Sequence, residues 1–303
     1  MSKRIAIFTD DPGWHGARLK QAFAQQGCNS EFVTLQSCGF AIENDQYGIS
    51  IPGFESLPDG VFVRGVPGGS LEQVVLYLDI LHALKHLGIC VYNDARAIER
   101  SVDKGMTSFL LNDAGVPTPA TWVLEDQHQL SKIMLNEFEA GHELVFKPLF
   151  GSQGKGLLKI SSFDELPERE EYSGVYYLQR YIDTGSDYVS DWRVFVIHGK
   201  AVAAMLRRGQ GWISNVAQGA RCHAAVLDQE LKSLAESAAA ALGMNYAGVD
   251  ILRDGKQQPY VLEVNSIPAW KGLQQVTPVD VADLLVEDFL GCCSDDACTE
   301  VVS

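Results

Sequence analysis

The run Arg4-Ile5-Ala6-Ile7-Phe8 is apolar after its first residue and stops at the polar turn Thr9-Asp10-Asp11-Pro12-Gly13, which predicts a short buried strand followed by a loop. An amphipathic stretch over 14–26 closes at Gly27, the pattern of a helix and its C-terminal stop. The alternation returns with a strand at 60–63, a loop at 64–70, a helix at 71–87, Gly88 and a strand at 89–92. Repeated strand, loop, helix and glycine predict a small N-terminal α/β domain over residues 1–98.

The pattern then changes. A helix predicted over 103–112 ends in Ala114-Gly115-Val116-Pro117-Thr118-Pro119, and strands are predicted at 121–124, 143–148, 157–160 and 176–181, giving a central region over 99–188. Further strands at 191–197 and 201–207, a long helix at 227–242, a hairpin over 247–265 and a helix near 280–290 form a third region, 189–291. Residues 292–303 read as a loose tail. No internal repeat is visible.

The hairpin carries the sharpest chemistry. Asp254-Gly255 separates two strand-like runs, and an antiparallel register that pairs Leu252 with Val261, Ile251 with Leu262, Asp250 with Glu263 and Val249 with Val264 puts Val249, Ile251, Leu262 and Val264 on one apolar face. The opposite face then holds Asp250 and Glu263 side by side, with Asn265 two residues on and Gly248 beside them. Like charges across a ladder repel unless a hard cation lies between them, and two carboxylates with an amide oxygen suit Mg²⁺ (or Mn²⁺) that shares its remaining positions with phosphates.

Other residues add to this. Lys147 ends an apolar strand where the loop Gly151-Ser152-Gln153-Gly154-Lys155-Gly156 begins, so its ammonium emerges where backbone N–H groups and Ser152 suit phosphate oxygens; a plain flexible turn has the same composition. Gln179-Arg180-Tyr181-Ile182-Asp183 ends another strand, which suits either an adenine edge with a ribose-binding carboxylate or an ordinary strand end. Arg193, Arg207 and Arg208 on neighbouring strands mean a bound anion or an ion-pair network.

Composition bounds the partners. The 303 residues suffice for about two domains' worth of core, with 46% apolar content. The 24 Lys and Arg against 39 Asp and Glu, net −15, argue against general binding to nucleic acid or anionic lipid while leaving room for a local basic pocket. No apolar run approaches the roughly 18 residues of a membrane span, and the reading is of a cytoplasmic protein. Seven scattered cysteines without CxxC pairs suggest neither a disulfide framework nor zinc.

Taken in order, Asp103-Lys104 with Thr107 and Leu110-Leu111, Ala114 to Pro119, Lys147-Pro148 with the glycine loop, Gln179 to Ile182, Asp191-Trp192-Arg193, Ala247-Gly248-Val249-Asp250-Ile251 and Glu263-Val264-Asn265 resemble the ATP-grasp ligases, and among them the RimK-type glutamate ligases, over about residues 98–290. The resemblance implies an α/β (α+β) ATP-grasp fold with ATP between the central and C-terminal regions. It implies that Lys104 and Lys147 contact ATP phosphates, that Gly151, Ser152, Gly154 and Gly156 form a lid, and that Gln179, Tyr181 and Ile182 belong to the adenine hinge, beside which Asp183 is the candidate carboxylate for the ribose hydroxyls. It further implies that Asp250, Glu263 and Asn265 hold Mg²⁺, that Arg193 or Arg208 steadies an acylphosphate, and that an acid amide results, with no side-chain nucleophile.

The chain departs from the RimK pattern at Ile213-Ser214-Asn215-Val216-Ala217-Gln218-Gly219-Ala220 and at Pro268-Ala269 before Trp270-Lys271-Gly272, which bears on the acceptor. Trp270 suits a stacking surface or a core position, and Asn215 and Arg64 are further candidate substrate residues, the latter with Trp14 and His15 on loops of the first domain. The expected substrates are an amino acid such as L-glutamate and a small-molecule or peptide carboxylate, a tetrahydromethanopterin-like pterin among them. Glutathione synthetase-like or lysine-biosynthesis-like ligases, and an ATP-binding regulatory protein without turnover, are the alternatives. The resemblance is compatible with a homo-oligomer.

Overall fold

The computed structural model describes residues 2–43, 46–151, 154–168, 174–186, 188–209 and 211–294. The chain divides into two compact units, one of Met1–Glu99, Met244–Ala247 and Ser266–Ser303, the other of Arg100–Gly243 and Gly248–Asn265.

In chain order the first unit begins with β1 (Arg4–Phe8), α1 (Gly13–Gln25), β2 (Asn29–Val33), β3 (Gly39–Glu43), β4 (Gln46–Ser50), β5 (Gly60–Val63), α2 (Leu71–His86), β6 (Val91–Tyr92) and α3 (Ala95–Val102). Its sheet has the order β2-β1-β5-β6, all parallel. Parallel strands are covered on both faces, which is why β1 and β5 read as unbroken apolar runs; Ile5 to Phe8 and Val61 to Val63 are fully buried. Ser70 and Gln73 close a reciprocal capping box at the start of α2.

The second unit follows with α4 (Lys104–Asp113), β7 (Thr121–Leu124), α5 (Gln127–Glu139), β8 (Leu144–Lys147), β9 (Leu158–Ile160), β10 (Tyr176–Arg180), β11 (Ser190–Ile197), β12 (Lys200–Arg208), β13 (Arg221–Ala224), α6 (Gln229–Leu242), β14 (Tyr246–Arg253) and β15 (Pro259–Asn265). One antiparallel sheet has the order β7-β10-β8-β9, and α5 covers it by burying Leu130 and Met134 against Leu144, Phe146 and Leu178. The other has the order β13-β12-β11-β14-β15, packed against α6.

The last helices, α7 (Lys271–Gln274) and α8 (Val281–Cys292), belong to the first unit, so the third region expected over 189–291 is not one body. The reason is an apolar stripe: Val281, Leu285, Val286 and Phe289 of α8 are fully buried, and the Phe289 ring lies 5.4 Å from that of Phe23 on α1 and 5.6 Å from that of Phe62 on β5. Gly60 is required there, because a Cβ at that position would fall 2.7 Å from the Phe289 ring and from Cys293 Sγ. Strands β2, β3, β4 and β13 were not among the predicted elements. The expected tail falls from residue 295 onward outside the described residues.

Candidate functional site

The second unit holds a cleft whose walls come from β8, β10, β11, β12, β14 and β15, together with Lys104 of α4 and the loops at 148–157 and 211–215. Six strands of two sheets converge on it, so its side chains are set by strand alternation and pairing.

The hairpin wall starts as expected and then shifts. Asp250 faces Glu263, Val249 faces Val264 and Gly248 faces Asn265, but Ile251 faces Val261 and Leu252 faces Tyr260. A bulge therefore leaves Leu262 unpaired, and the expected pairings of Leu252 with Val261 and Ile251 with Leu262 are corrected. The physical consequence is local: Val261 replaces Leu262 on the buried face, where it is fully enclosed, while Leu262 and Glu263 both line the cleft with Leu252. The extra residue adds an apolar platform beside the carboxylate.

Asp250 is held from two sides. Arg193 donates through Nε to Oδ1 at 2.7 Å and through Nη2 to Oδ2 at 2.7 Å, and Arg207 Nη2 lies 2.9 Å from Oδ2. Burial alone would raise the Asp250 carboxyl, but the two guanidinium charges and their hydrogen bonds outweigh it and hold the carboxyl below its ordinary range. Arg207 also donates through Nε to Asp191 Oδ1 at 2.7 Å, opposite it on the β11–β12 ladder, and the Ser214 hydroxyl donates to Asp191 Oδ2 at 2.7 Å. For Asp191, burial pushes the carboxyl upward against the Arg207 charge.

Glu263 makes no hydrogen bond or ion pair among the described residues, and its charge acts on Lys104 and Lys147. The Asn265 amide donates to Gly248 O at 3.2 Å, which turns its Oδ1 away from that carbonyl and leaves it as an acceptor. The described residues contain no ready cluster of three His, Cys, Asp or Glu for a metal. The set that fits a hard cation is mixed: the Glu263 carboxylate, the Asn265 amide oxygen and the one lone pair of Asp250 that the arginines leave open, completed by oxygens of a bound phosphate.

Opposite, Lys147 Nζ donates to Gln179 Oε1 at 2.6 Å, and Gln179 Nε2 donates to Thr121 Oγ1 at 3.1 Å and Tyr177 OH at 3.2 Å. Burial pulls the Lys147 ammonium down to about 8, with Glu263 opposing the shift and Lys104 adding to it. Burial also lowers Lys104, whose Nζ donates to Gly151 O at 2.7 Å. Gly154 and Gly156 adopt φ of 72° and 71°, and a Cβ on Gly154 would stand 3.1 Å from Asn215 Oδ1, so the loop passes close over Asn215 because it has no side chain there. Tyr181 and Ile182 line the cleft near Trp212, whose ring lies 6.4 Å from that of Tyr181.

Thus Lys104, Lys147, Gly151, Gly154, Gln179, Tyr181, Ile182, Asn215, Asp250 and Glu263 share one cleft. Ser152 lies outside the described residues. Gly156, Arg193 and Asn265 are not among the lining residues but adjoin it: Gly156 by Pro148, Arg193 by its pair of hydrogen bonds to Asp250, and Asn265 two residues on from Glu263 along β15. Asp183 is exposed and accepts from Gly185 N–H at 2.9 Å, so its side chain caps a turn.

Two expected roles need correction. Arg208 is exposed, because alternation along β12 sends it to the face opposite Arg207; the buried cleft arginine is Arg207, whose position opposite Asp191 emerges only from the strand pairing. Trp270, in the first unit, is fully buried, with the Arg64 guanidinium 4.6 Å from its ring centre and His15 at 4.6 Å, so it has no open face for an acceptor. Arg64 is half-buried there, donating to Pro268 O at 3.1 Å. Leu252, Leu262, Tyr177, Trp212 and Ser214 are cleft residues that the linear pattern did not single out.

Comparison with known proteins follows the same lines. Residues 101–289 match the RimK-like ATP-grasp domain. The chain is 37% identical over 244 residues to the tetrahydromethanopterin:alpha-L-glutamate ligase of Methanocaldococcus jannaschii, covering 77% of this chain and 79% of that protein, and 33% identical over 237 residues to the ligase of the same name from Methanococcus maripaludis, covering 76% and 78%. Among solved structures, the ATP-grasp ligase PsnB complexed with a phosphomimetic precursor variant, Mg and ADP superposes with a TM-score of 0.74 at 20% identity, covering 96% of this chain and 99% of that one. A RimK domain ATP-grasp protein from Sphaerobacter thermophilus gives 0.69 at 20% identity, covering 95% and 100%. These two likenesses establish the fold. No described helix is long and apolar enough to cross a membrane. The cleft, its lysines and its paired carboxylates thus lie in a chain that belongs to the RimK-like ATP-grasp family, an enzyme that forms carbon–nitrogen bonds.

Proposed function

We propose that the chain uses ATP and Mg²⁺ to join the amine of an amino acid, L-glutamate first among candidates, to the carboxylate of a small molecule or peptide. The observation that carries this reading is the convergence of Lys104, Lys147, Asp250 and Glu263 on one cleft that also presents the apolar side chains of Ile182, Leu252 and Leu262. Apolar side chains beside two lysines and two carboxylates suit a purine with its polyphosphate. The relatives named tetrahydromethanopterin:alpha-L-glutamate ligase support glutamate as the amine and a pterin-linked acid as one acceptor class.

In this reading the acid's carboxylate oxygen attacks the γ-phosphorus of ATP, the bond to the β-γ bridging oxygen breaks, and ADP leaves. The amine then attacks the acyl carbon, the tetrahedral adduct expels inorganic phosphate, and the amine's proton passes to phosphate or solvent. A bound Mg²⁺ would neutralise phosphate charge, held by Glu263, Asn265 and Asp250. The chain's own residues do the rest. Lys147, braced by Gln179, and Lys104, tied to the first carbonyl of the glycine loop, face the transferring phosphoryl group with fixed charge. Arg193 and Arg207 hold Asp250 ionised and in one orientation.

The test is ADP and phosphate release from MgATP with L-glutamate and pooled carboxylic acids, with products read by mass, in wild type, Asp250→Ala and Glu263→Ala. A product of acid plus glutamate minus water, absent from both variants, is expected. Tight MgATP binding without turnover across a broad set of acids and amines would refute the ligase reading.

A further inference from the structure

The first unit contains a group of cationic and donor side chains that the nucleotide chemistry does not use. Arg64 follows β5 directly, His15 lies in the first turns of α1, and Lys271 opens α7, three residues after Pro268. Ligands of α/β sheets gather at the carboxyl ends of the strands, where the loops after β1 and β5 lie.

Arg64 and His15 are held with donors to spare. His15 Nε2 accepts from the backbone N–H of Trp270 at 3.1 Å and of Lys271 at 3.2 Å, so that nitrogen is the acceptor and the ring proton sits on Nδ1. Burial, then the charges of Arg64 and Lys271, lower His15 to about 4 against the opposing charge of Asp11, so the ring stays neutral at ordinary pH. The Arg64 plane is fixed over Trp270 at 4.6 Å, and its Nη1 is spent on Pro268 O at 3.1 Å, with Tyr246 OH at 3.5 Å. Its Nε and Nη2, the His15 Nδ1–H and the Lys271 ammonium have no hydrogen-bond partner among the described residues.

A purely structural clamp would explain the stacking and the Pro268 contact. It does not explain why a pre-oriented guanidinium keeps two donor nitrogens open beside a lysine and a neutral imidazole donor, in a chain of net charge −15. We propose that Arg64, the Nδ1–H of His15 and Lys271 form a carboxylate-binding site that recognises a substrate acid group. The site rests on the ligase reading, since a ligase of this kind offers two sources of carboxylate, the amino acid and the acid to which it is joined. Arg64 is the anchor, His15 a directional donor, and Lys271 a flexible charge at the rim.

Calorimetric titration of the full chain with L-glutamate, glutarate and glutaramide, each in the presence of MgADP, tests this in wild type, Arg64→Gln and Lys271→Met. The expected result is binding of at least one of the two acids, none of neutral glutaramide, and a loss of about tenfold or more in acid affinity for Arg64→Gln with MgADP affinity unchanged. Loss confined to L-glutamate assigns the site to the amino acid, and loss that extends to glutarate assigns it to the acceptor acid. Lys271→Met, which removes no side-chain hydrogen bond or ion pair within the described residues, is expected to weaken the same acid several-fold and guards against a folding defect in the arginine variant. Unchanged acid affinity in both variants, or no acid binding by wild type, overturns the proposal. A chain that binds the acids through Arg64 but not MgADP would instead refute the ligase reading.

Discussion

Lys147 ties the chemistry of the cleft to pH in a way that can be worked out. Its ammonium is lowered to about 8, against 10.5 for a free lysine, because burial at the end of β8 outweighs the attraction of Glu263. Between these two values the unfolded chain binds more protons at this position than the folded one, so this group's contribution to stability rises with pH from about 8 to 10.5, recovering about 3 kcal/mol that charged burial costs at neutral pH. Nucleotide binding has the opposite sign. A polyphosphate favours the charged amine, so binding draws in a proton, and affinity falls as pH climbs past 8. With the bound amine held charged throughout this range, MgADP should bind about tenfold more weakly at pH 9 than at pH 7, and roughly half a proton should be taken up per nucleotide at pH 8. Calorimetry in buffers of different ionisation enthalpy counts that proton directly. Lys147→Arg, which cannot lose its charge in this range, serves as the reference for every other titrating group. A wild type whose MgADP affinity is as flat as that of Lys147→Arg, with no proton uptake at pH 8, would refute the placement of phosphate against this lysine.

The two hairpin carboxylates should separate by stability. Asp250→Ala leaves Arg193 and Arg207 without their shared partner and should cost about 3–5 kcal/mol in urea unfolding, whereas Glu263→Ala removes no recorded hydrogen bond or ion pair and should stay within about 1 kcal/mol, although both abolish turnover. Gly154→Ala places a Cβ 3.1 Å from Asn215 Oδ1 at a φ of 72°, so MgADP affinity should fall by about tenfold with little change in melting temperature; unchanged affinity would remove the loop from the phosphate site. Trp270→Ala should cost about 3–5 kcal/mol as a core deletion, while Arg208→Ala should be within about 0.5 kcal/mol of wild type and keep its turnover, both read from unfolding curves and ADP release.

What could be read along the chain depended on how local the signal was. The β1–α1 and β5–α2 units were legible because each carries its own period and its own stop signal within about 25 residues. The pairing of Asp250 with Glu263 was legible because one short loop joins the strands and the apolar pattern fixes the register at that level. The bulge was not, since Val261 and Leu262 are both apolar and alternation cannot say which one is the extra residue. Arg207 against Arg208 failed for a related reason: adjacent identical residues point to opposite faces, and only the pairing with Asp191 on a separate strand decides which is buried. Trp270 and α8 depend on a packing partner more than 200 residues away in the chain, which no local pattern encodes. The hairpin of β3 and β4 lacks the alternation that would mark it, since both strands are largely exposed where they are described and no buried face imposes a period.

The acidity of the chain and the character of the cleft are parts of one electrostatic design. A net charge of −15 repels polyanions in general, yet the cleft is lined by Lys104, Lys147, Lys155, Arg180 and Arg207 against Asp191, Asp250 and Glu263, so its local sign is positive. Arg180 is answered by Glu137, with Nε to Oε2 at 2.7 Å and Nη2 to Oε1 at 2.8 Å, and Arg207 is shared between Asp191 and Asp250, which leaves the three lysines as the positive charge without an ion-pair partner among the described residues and Glu263 as the open carboxylate. Under the proposed reading, a nucleotide polyphosphate with a divalent cation would meet both: phosphates against lysines, cation against Glu263. Either component alone meets an unbalanced partner, the cation facing lysines and arginines, the bare polyphosphate facing Glu263 and Asp250. Under the proposed reading, the arrangement would favour the metal–nucleotide complex over its parts, with carboxylates and guanidinium groups that the two sheets have fixed before any ligand arrives.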